Sequence, residues 1–150
     1  MKGKETWIFA LLLLLGMACI DESECNYETL REIKVKFIQS ENLLADTLQI
    51  DSIISSNTDS VMYKQDTLSS VVLPLNPGAQ ETRFYFDLTN DSENFEIVFG
   101  YAAIPRVISE DCGVELEINA LKIVSHEVDS VIITNFNFNK EVETNVKVYR

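Results

Sequence analysis

Few side chains in this sequence have the types and spacing that catalysis requires. His126 is the single histidine, and it lies in the polar stretch Ser125–Glu127, which is typical of an exposed turn. A hydrolase triad needs a base beside a nucleophile, and the sequence contains no nucleophile elbow. The 24 Asp and Glu residues would permit a glycosidase-like carboxylate pair, but their spacing singles out no two of them. We therefore predict no catalytic residue and no enzymatic activity.

Metal and cofactor sites are also poorly supported by the sequence. A zinc site needs closely spaced Cys and His ligands, whereas Cys19, Cys25 and Cys112 are accompanied by one histidine. The segment 87–94 offers oxygen atoms to calcium, but it lacks the alternating spacing and central glycine of an EF-hand loop, which favours a polar hairpin turn. A glycine-rich phosphate loop is missing as well. The sequence predicts no metal and no cofactor.

Length and charge narrow the class of protein further. The chain has 150 residues, 46% of them apolar, and a formal net charge of −12. This length and apolar content suit one domain with a packed core. Nucleic-acid binding needs clustered Lys and Arg, and the 12 basic residues form no such stripe, so we predict no nucleic-acid partner.

The pattern of apolar residues predicts an all-β domain over residues 30–150. Apolar and polar residues alternate with a period of two, as in Glu32–Phe37, and such strands have one buried and one wet face. The turn signal Asn76–Gly78 and weaker ones separate the runs. About nine antiparallel strands are predicted, in a two-layer, immunoglobulin-like β-sandwich, with a partly closed barrel as the alternative. The predicted strands are 31–37, 47–54, 68–75, 82–88, 94–101, 113–119, 121–125, 130–138 and 142–148.

The first residues have the layout of a secretory signal. Lys2 and Lys4 precede the apolar run Trp7–Leu15, and small residues follow it. The run is shorter than the roughly 20 residues of a membrane-spanning helix. The segment Leu15–Cys19 resembles a bacterial lipoprotein signal, which implies a signal peptide over residues 1–18 and a lipid on Cys19. Ordinary signal-peptidase cleavage is the alternative.

Residues 19–29 are interpreted as a lipid anchor followed by an acidic tether. The stretch Ile20–Glu24 resembles the export signal of Bacteroidetes surface lipoproteins; a plain solvated linker is the alternative. If Cys19 carries lipid, Cys25 and Cys112 are left as a pair, and an oxidising compartment permits a disulfide between them. The alternative is that Cys25 and Cys112 are both unpaired.

The order of features from Ser60 onward resembles a family of uncharacterised Bacteroidetes lipoproteins, known only as a domain of unknown function. The resemblance implies a small lipid-anchored β-domain and supplies no catalytic residue. It is carried by the segments 59–63, 72–76, 82–86, 108–113 and 145–149.

An Asp followed by Ser or Thr and then an apolar residue occurs five times. This motif resembles the O-glycosylation acceptor pattern of exported Bacteroidetes proteins; turn residues leading into strands are the alternative. The acceptor hydroxyls would belong to Thr47, Ser52, Ser60, Thr67 and Ser130.

These observations predict a lipid-anchored protein of the cell envelope, in the outer membrane and exposed at the surface. Its expected role is a non-enzymatic binding or accessory module whose partners are the membrane, through the lipid, and an envelope protein or glycan. The alternatives are an envelope glycan-acting enzyme that uses a carboxylate pair, and a structural subunit of an outer-membrane assembly.

Overall fold

The computed structural model describes residues 31–56, 61–89, 94–110, 112–136, 138 and 142–150. The described residues contain nine β-strands. The strands are β1 (Glu32–Ile38), β2 (Leu48–Ser55), β3 (Val61–Leu68), β4 (Ser70–Pro74), β5 (Glu81–Leu88), β6 (Phe95–Ser109), β7 (Gly113–His126), β8 (Ser130–Ile133) and β9 (Val146–Tyr149).

The strands form two sheets, which confirms the predicted two-layer all-β architecture. One sheet has the order β4-β1-β9-β8 and the other the order β3-β2-β5-β6-β7. Every pairing is antiparallel except that between β1 and β9, which run parallel with Val35 opposite Val146. The parallel pair joins the first strand to the last, and period-two alternation alone does not reveal it because both pairing types place alternate residues on one face.

The alternating apolar residues meet between the sheets. Ile33, Val35 and Phe37 of β1 are fully buried, as are Phe84 and Phe86 of β5. The Phe37 ring packs edge-on against Phe86 of the other sheet, with 5.9 Å between ring centroids. Each buried side chain of this size stabilises the fold by roughly 1.5–3 kcal/mol.

Strands β6 and β7 extend beyond the rest of their sheet. Strand β5 pairs with β6 only as far as Gly100, whereas β6 and β7 remain paired to Ser109 and Gly113. We call residues 102–119 the arm. Pro105 lies in the arm part of β6, which pairs with β7 on one side and has no β5 partner on the other, and such edge positions tolerate proline.

Several strand predictions need correction. Strand β3 was not predicted, because all of its residues are exposed or half-buried and its sequence shows no buried face. The two predicted strands 113–119 and 121–125 are one strand, β7, in which Ala120 has a positive φ of 53° and interrupts the pairing without ending it. Strand β9 begins at Val146 rather than Val142.

The interior face predicted for the arm strand is also wrong in part. Ile118 is buried, but Val114 is 63% exposed. Val114 lies near the arm tip, beyond the part of β6 that pairs with β5, whereas Ile118 lies nearer the body of the sandwich.

Asn145 is a buried polar residue where the alternation predicts an exposed one. Its side-chain oxygen accepts a hydrogen bond from the Lys34 backbone N–H at 2.9 Å, and its own N–H donates to the Lys34 carbonyl at 2.8 Å. Its carbonyl also accepts the N–H of Thr134. Asn145 thus replaces sheet pairing at the point where β9 joins β1.

The Tyr101 hydroxyl anchors the turn between β4 and β5, where the chain passes from one sheet to the other. The hydroxyl donates to the Asn76 carbonyl at 2.8 Å and accepts a hydrogen bond from the buried Thr82 hydroxyl. The predicted turn at Asn76–Gly78 is present, with the Asn76 side chain accepting the Gly78 N–H. Burial raises the pKa of Tyr101, because the phenolate is poorly solvated there.

The two ends of the sandwich differ. At one end, which we call the arm end, the Arg31 guanidinium lies 3.6 Å from the Glu115 carboxylate on the arm. Strand β1 runs from there to the opposite end, the loop end, where the Ser40 hydroxyl donates to Asp129. The arm end therefore holds the start of the described chain.

We predict that Tyr101→Phe lowers the free energy of unfolding by about 1–2 kcal/mol, because the Thr82 hydroxyl and the Asn76 carbonyl lose a buried partner. Urea unfolding followed by circular dichroism measures this change. Tyr85→Phe is the matched control, since Tyr85 is an exposed tyrosine on the neighbouring strand. Equal losses in the two variants would contradict the proposed role of the buried hydroxyl.

We also predict a loss of stability at alkaline pH that depends on Tyr101. A raised folded-state pKa means that the unfolded chain releases the phenol proton first, so the stabilisation is complete below about pH 10 and falls as pH rises toward the folded pKa. Unfolding free energies measured from pH 8 to 11.5 should fall more steeply for the native protein than for Tyr101→Phe. Parallel curves would show that other groups cause the loss.

Candidate functional site

The loop between β1 and β2, residues 39–45, is closed by its own hydrogen bonds. The Gln39 N–H donates to the Leu44 carbonyl at 2.9 Å, and the Leu43 N–H donates to the Gln39 carbonyl at 3.0 Å. The Asn42 side chain accepts the Leu44 N–H at 2.9 Å and donates to the Gln39 side chain at 2.6 Å. We call these residues the leucine loop. Its backbone conformation is held by local bonds as well as by its attachment to the sheet.

The leucine loop presents two apolar side chains to solvent. Leu43 is 69% exposed and Leu44 is 63% exposed. Leu43 has φ of 61°, in the left-handed region that a bulky side chain rarely adopts and that costs of the order of 1–3 kcal/mol. Both leucines face away from the core, so this strain is not offset by burial within the domain.

The surroundings of the leucine loop carry acidic groups. Glu41 is exposed within the loop, and Asp129 lies beside it through the bond from Ser40. Asp46, at the end of the loop, lies 3.9 Å from the Arg150 guanidinium, which also rests over the Phe95 ring at 5.8 Å. The site is therefore a pair of leucines with an acidic border.

A second feature is a polar depression of about 240 Å³ on the β2–β3 surface. It contains two carboxylates, Asp51 and Asp66. Asp51 accepts the Thr89 hydroxyl at 2.6 Å, and Asp66 accepts the Thr67 N–H at 2.8 Å. The depression is open to solvent and is lined by Gln49, Ile50, Asp51, Gln65, Asp66, Thr67 and Thr89.

The structure does not bring the five predicted glycosylation residues together. Thr47 and Thr67 are exposed, and in both cases the preceding Asp carboxylate accepts the backbone N–H of the threonine. Ser52 and Ser130 are half-buried within strands β2 and β8, and Ser60 lies outside the described residues. Glycosylation stays a prediction, with Thr47 and Thr67 as its accessible positions.

The predicted anchor and disulfide fall largely outside the described residues. Cys19 and Cys25 both precede Arg31, where the description begins, and so do the predicted signal peptide and tether. Cys112 lies in the turn at the arm tip. No disulfide joins two described residues, since Cys112 is the only cysteine among them, and its pairing with Cys25 stays a prediction.

His126 is exposed at the end of β7, with Nδ1 2.9 Å from the Val128 carbonyl oxygen. Segment 87–94 was considered as a source of calcium ligands. Within it, the Asn94 side-chain amide donates to the Asp87 carboxylate at 2.8 Å, and residues 90–93 lie outside the described residues. No group of three or more His, Cys, Asp or Glu residues that could hold a metal occurs in the described parts of the chain.

The leucine loop was not identified from the sequence. The one sequence signal for it is the pair of adjacent leucines, which lies after the polar residues 39–42 and before the strand that begins at Leu48. Such a pair is equally compatible with the start of a strand. Among the tyrosines, Tyr85 is exposed and Tyr149 is half-buried. They do not contribute to the leucine loop.

Within the described part of the chain, no helix is both long and apolar enough to cross a membrane. Searches among curated proteins and among solved structures found no match. A family of unknown function, DUF6452, matches residues 47–150, which is more than half of the chain and covers strands β2 to β9. The chain therefore belongs to the family of unknown function DUF6452.

Proposed function

We propose that the protein is a non-enzymatic, lipid-anchored module of the cell envelope that binds an envelope protein through the leucine loop. The observation that carries this proposal is the pair of exposed leucines on a hydrogen-bonded loop, with Leu43 in a left-handed conformation. Neither exposed leucine contributes buried apolar surface to the domain. A partner would account for them, because a partner pocket would remove both side chains from water.

The internal bonds of the leucine loop support binding by a preformed surface. A loop that is already ordered loses little conformational freedom on association, so more of the burial energy remains as affinity. Two leucines that become fully buried would contribute roughly 1.5–3 kcal/mol each. Such a small apolar anchor with a polar border is typical of the centre of a protein–protein contact.

The charges around the loop specify the chemistry of the partner. Glu41 and Asp129 border the leucines, and the whole chain has a net charge of −12. We infer an apolar pocket bordered by Lys or Arg side chains, because opposite charges increase the rate of association and disfavour other partners.

The lipid anchor is supported by the sequence at the chain start. The apolar run before Cys19 and the acidic stretch after it fit a lipoprotein that is held on the outer membrane by Cys19. Arg31 lies at the arm end, so the tether joins the domain at the end opposite the leucine loop. An anchor placed there leaves the leucine loop accessible to other envelope proteins.

Affinity capture from native membranes tests the proposed surface with the variant Leu43→Asn. Asparagine adopts the left-handed region more readily than other residues, so this change removes the apolar side chain while keeping the loop conformation. We expect the captured envelope protein to bind about 10-fold to 100-fold more weakly, as the loss of one buried leucine implies. Val124→Thr is the matched control, because Val124 is 49% exposed on β7, away from the loop.

The proposal requires that Val124→Thr captures the same protein as the native chain. Equal capture by Leu43→Asn would show that the leucine loop is not the binding surface. Failure to capture any protein, together with turnover of an envelope glycan by the native chain and loss of turnover in Asp51→Asn, would instead favour the enzymatic alternative at the polar depression.

A further inference from the structure

Two observations place the attachment of the N-terminal segment at the arm. The Arg31 guanidinium contacts Glu115 of the arm, and the Arg31 carbonyl accepts the Leu75 N–H at 2.6 Å, which holds the start of the described chain at this end. Cys112 lies at the arm tip, and both other cysteines precede Arg31. With the lipid on Cys19, the predicted disulfide joins Cys112 to Cys25.

The short tether then limits where the membrane can be. Cys25 is six positions after Cys19 in the sequence, and a fully extended chain over that interval spans at most about 20 Å. The arm strands, from Ala102 to Ser109, are roughly 26 Å long at the usual rise per residue. A tether of this length keeps the arm tip within about 20 Å of the lipid, which is less than the length of the arm.

We propose that the arm is the membrane-facing part of the domain and that its tip lies against the bilayer that holds the lipid anchor. This inference rests on the lipid anchor proposed above. It orients the molecule with the leucine loop directed away from the membrane, because strand β1 runs from the arm end to the loop end.

The surface of the arm tip fits a lipid surface of zwitterionic headgroups. Val107 is 70% exposed and Val114 is 63% exposed, and they are directly paired across the two strands, so they form one apolar patch. Glu110 lies next to this patch and is exposed. An acidic residue there disfavours anionic lipids, whereas the paired valines favour the boundary between headgroups and acyl chains.

Paramagnetic relaxation tests this orientation on the full chain, expressed with its signal and purified from membranes. The protein is placed in nanodiscs of phosphatidylcholine and phosphatidylethanolamine that contain a small fraction of lipid with a gadolinium-chelating headgroup. Mass spectrometry of the same sample reports the lipid on Cys19 and the Cys25–Cys112 disulfide. We expect the relaxation enhancement at the Val107 and Val114 amides to exceed that at the Leu43 and Leu44 amides at least tenfold.

The variant with Cys25→Ser and Cys112→Ser is the matched comparison. Its tether is twelve residues from Cys19 to Arg31, so its reach doubles to about 40 Å and the ratio between arm and loop amides should fall several-fold. Lipidated protein with equal enhancement at both ends, or with Cys112 paired to a residue other than Cys25, would overturn the orientation alone. Protein without lipid would overturn both the orientation and the anchored function.

Discussion

The structure depends on the packing of strand β1 against the aromatic side chains of the other sheet. Phe37 meets Phe86 across the interface, and Phe86 stacks on Phe95 with 4.5 Å between ring centroids. The same strand pairs with β4 on one side and with β9 on the other. Because β1 is central in its sheet and fully buried on its inner face, it connects the first, middle and last parts of the chain in one core. Loss of this packing would separate the sheets, and the positions of the leucine loop and the arm would no longer be defined.

The course of β1 also sets the polarity of the molecule. Its first neighbour, Arg31, contacts the arm, and the residues after Ile38 form the leucine loop, so one strand connects the two surfaces to which we assign roles. The rigidity of a buried strand matters here, because an anchor at one end can orient a binding loop at the other only if the connection between them does not bend. The proposed role, in which the protein binds a partner away from a membrane, requires this separation, and a seven-residue strand supplies roughly 23 Å of it.

The sequence predicts the fold well where strands have one buried face and poorly elsewhere. Strands β1 and β5 alternate regularly, so their limits agree with the structure to within one residue and their inner faces are as predicted. Strand β6 continues to Ser109, past its predicted end at residue 101, and residues 97–101 are buried on both faces. Strand β3 lacks a buried face, and its residues are held by pairing with β2 and by the Tyr63 hydroxyl, which both donates to and accepts from the Val72 backbone at 3.1 Å. Such backbone partners are not encoded by local hydropathy. The burial of Asn145 was missed for the same reason, since its bonds to Lys34 join residues 111 positions apart.

The candidate site was beyond sequence reasoning for a different physical reason. The motifs that can be recognised in a sequence mark covalent chemistry, such as lipidation, disulfide formation or glycosylation, because these reactions need particular atoms. A binding loop needs only apolar surface in a fixed conformation. Nothing in the local sequence distinguishes Leu43 and Leu44 from other leucines, because the distinguishing features are their exposure and the positive φ of Leu43. Left-handed φ at Leu43 is informative because the exposed leucine side chain gains no burial from it. That asymmetry, a cost within the domain without a matching contact, distinguishes the leucine loop from a single exposed residue such as Val124, which lies in a strand with an ordinary backbone conformation and is of a kind found on most soluble proteins.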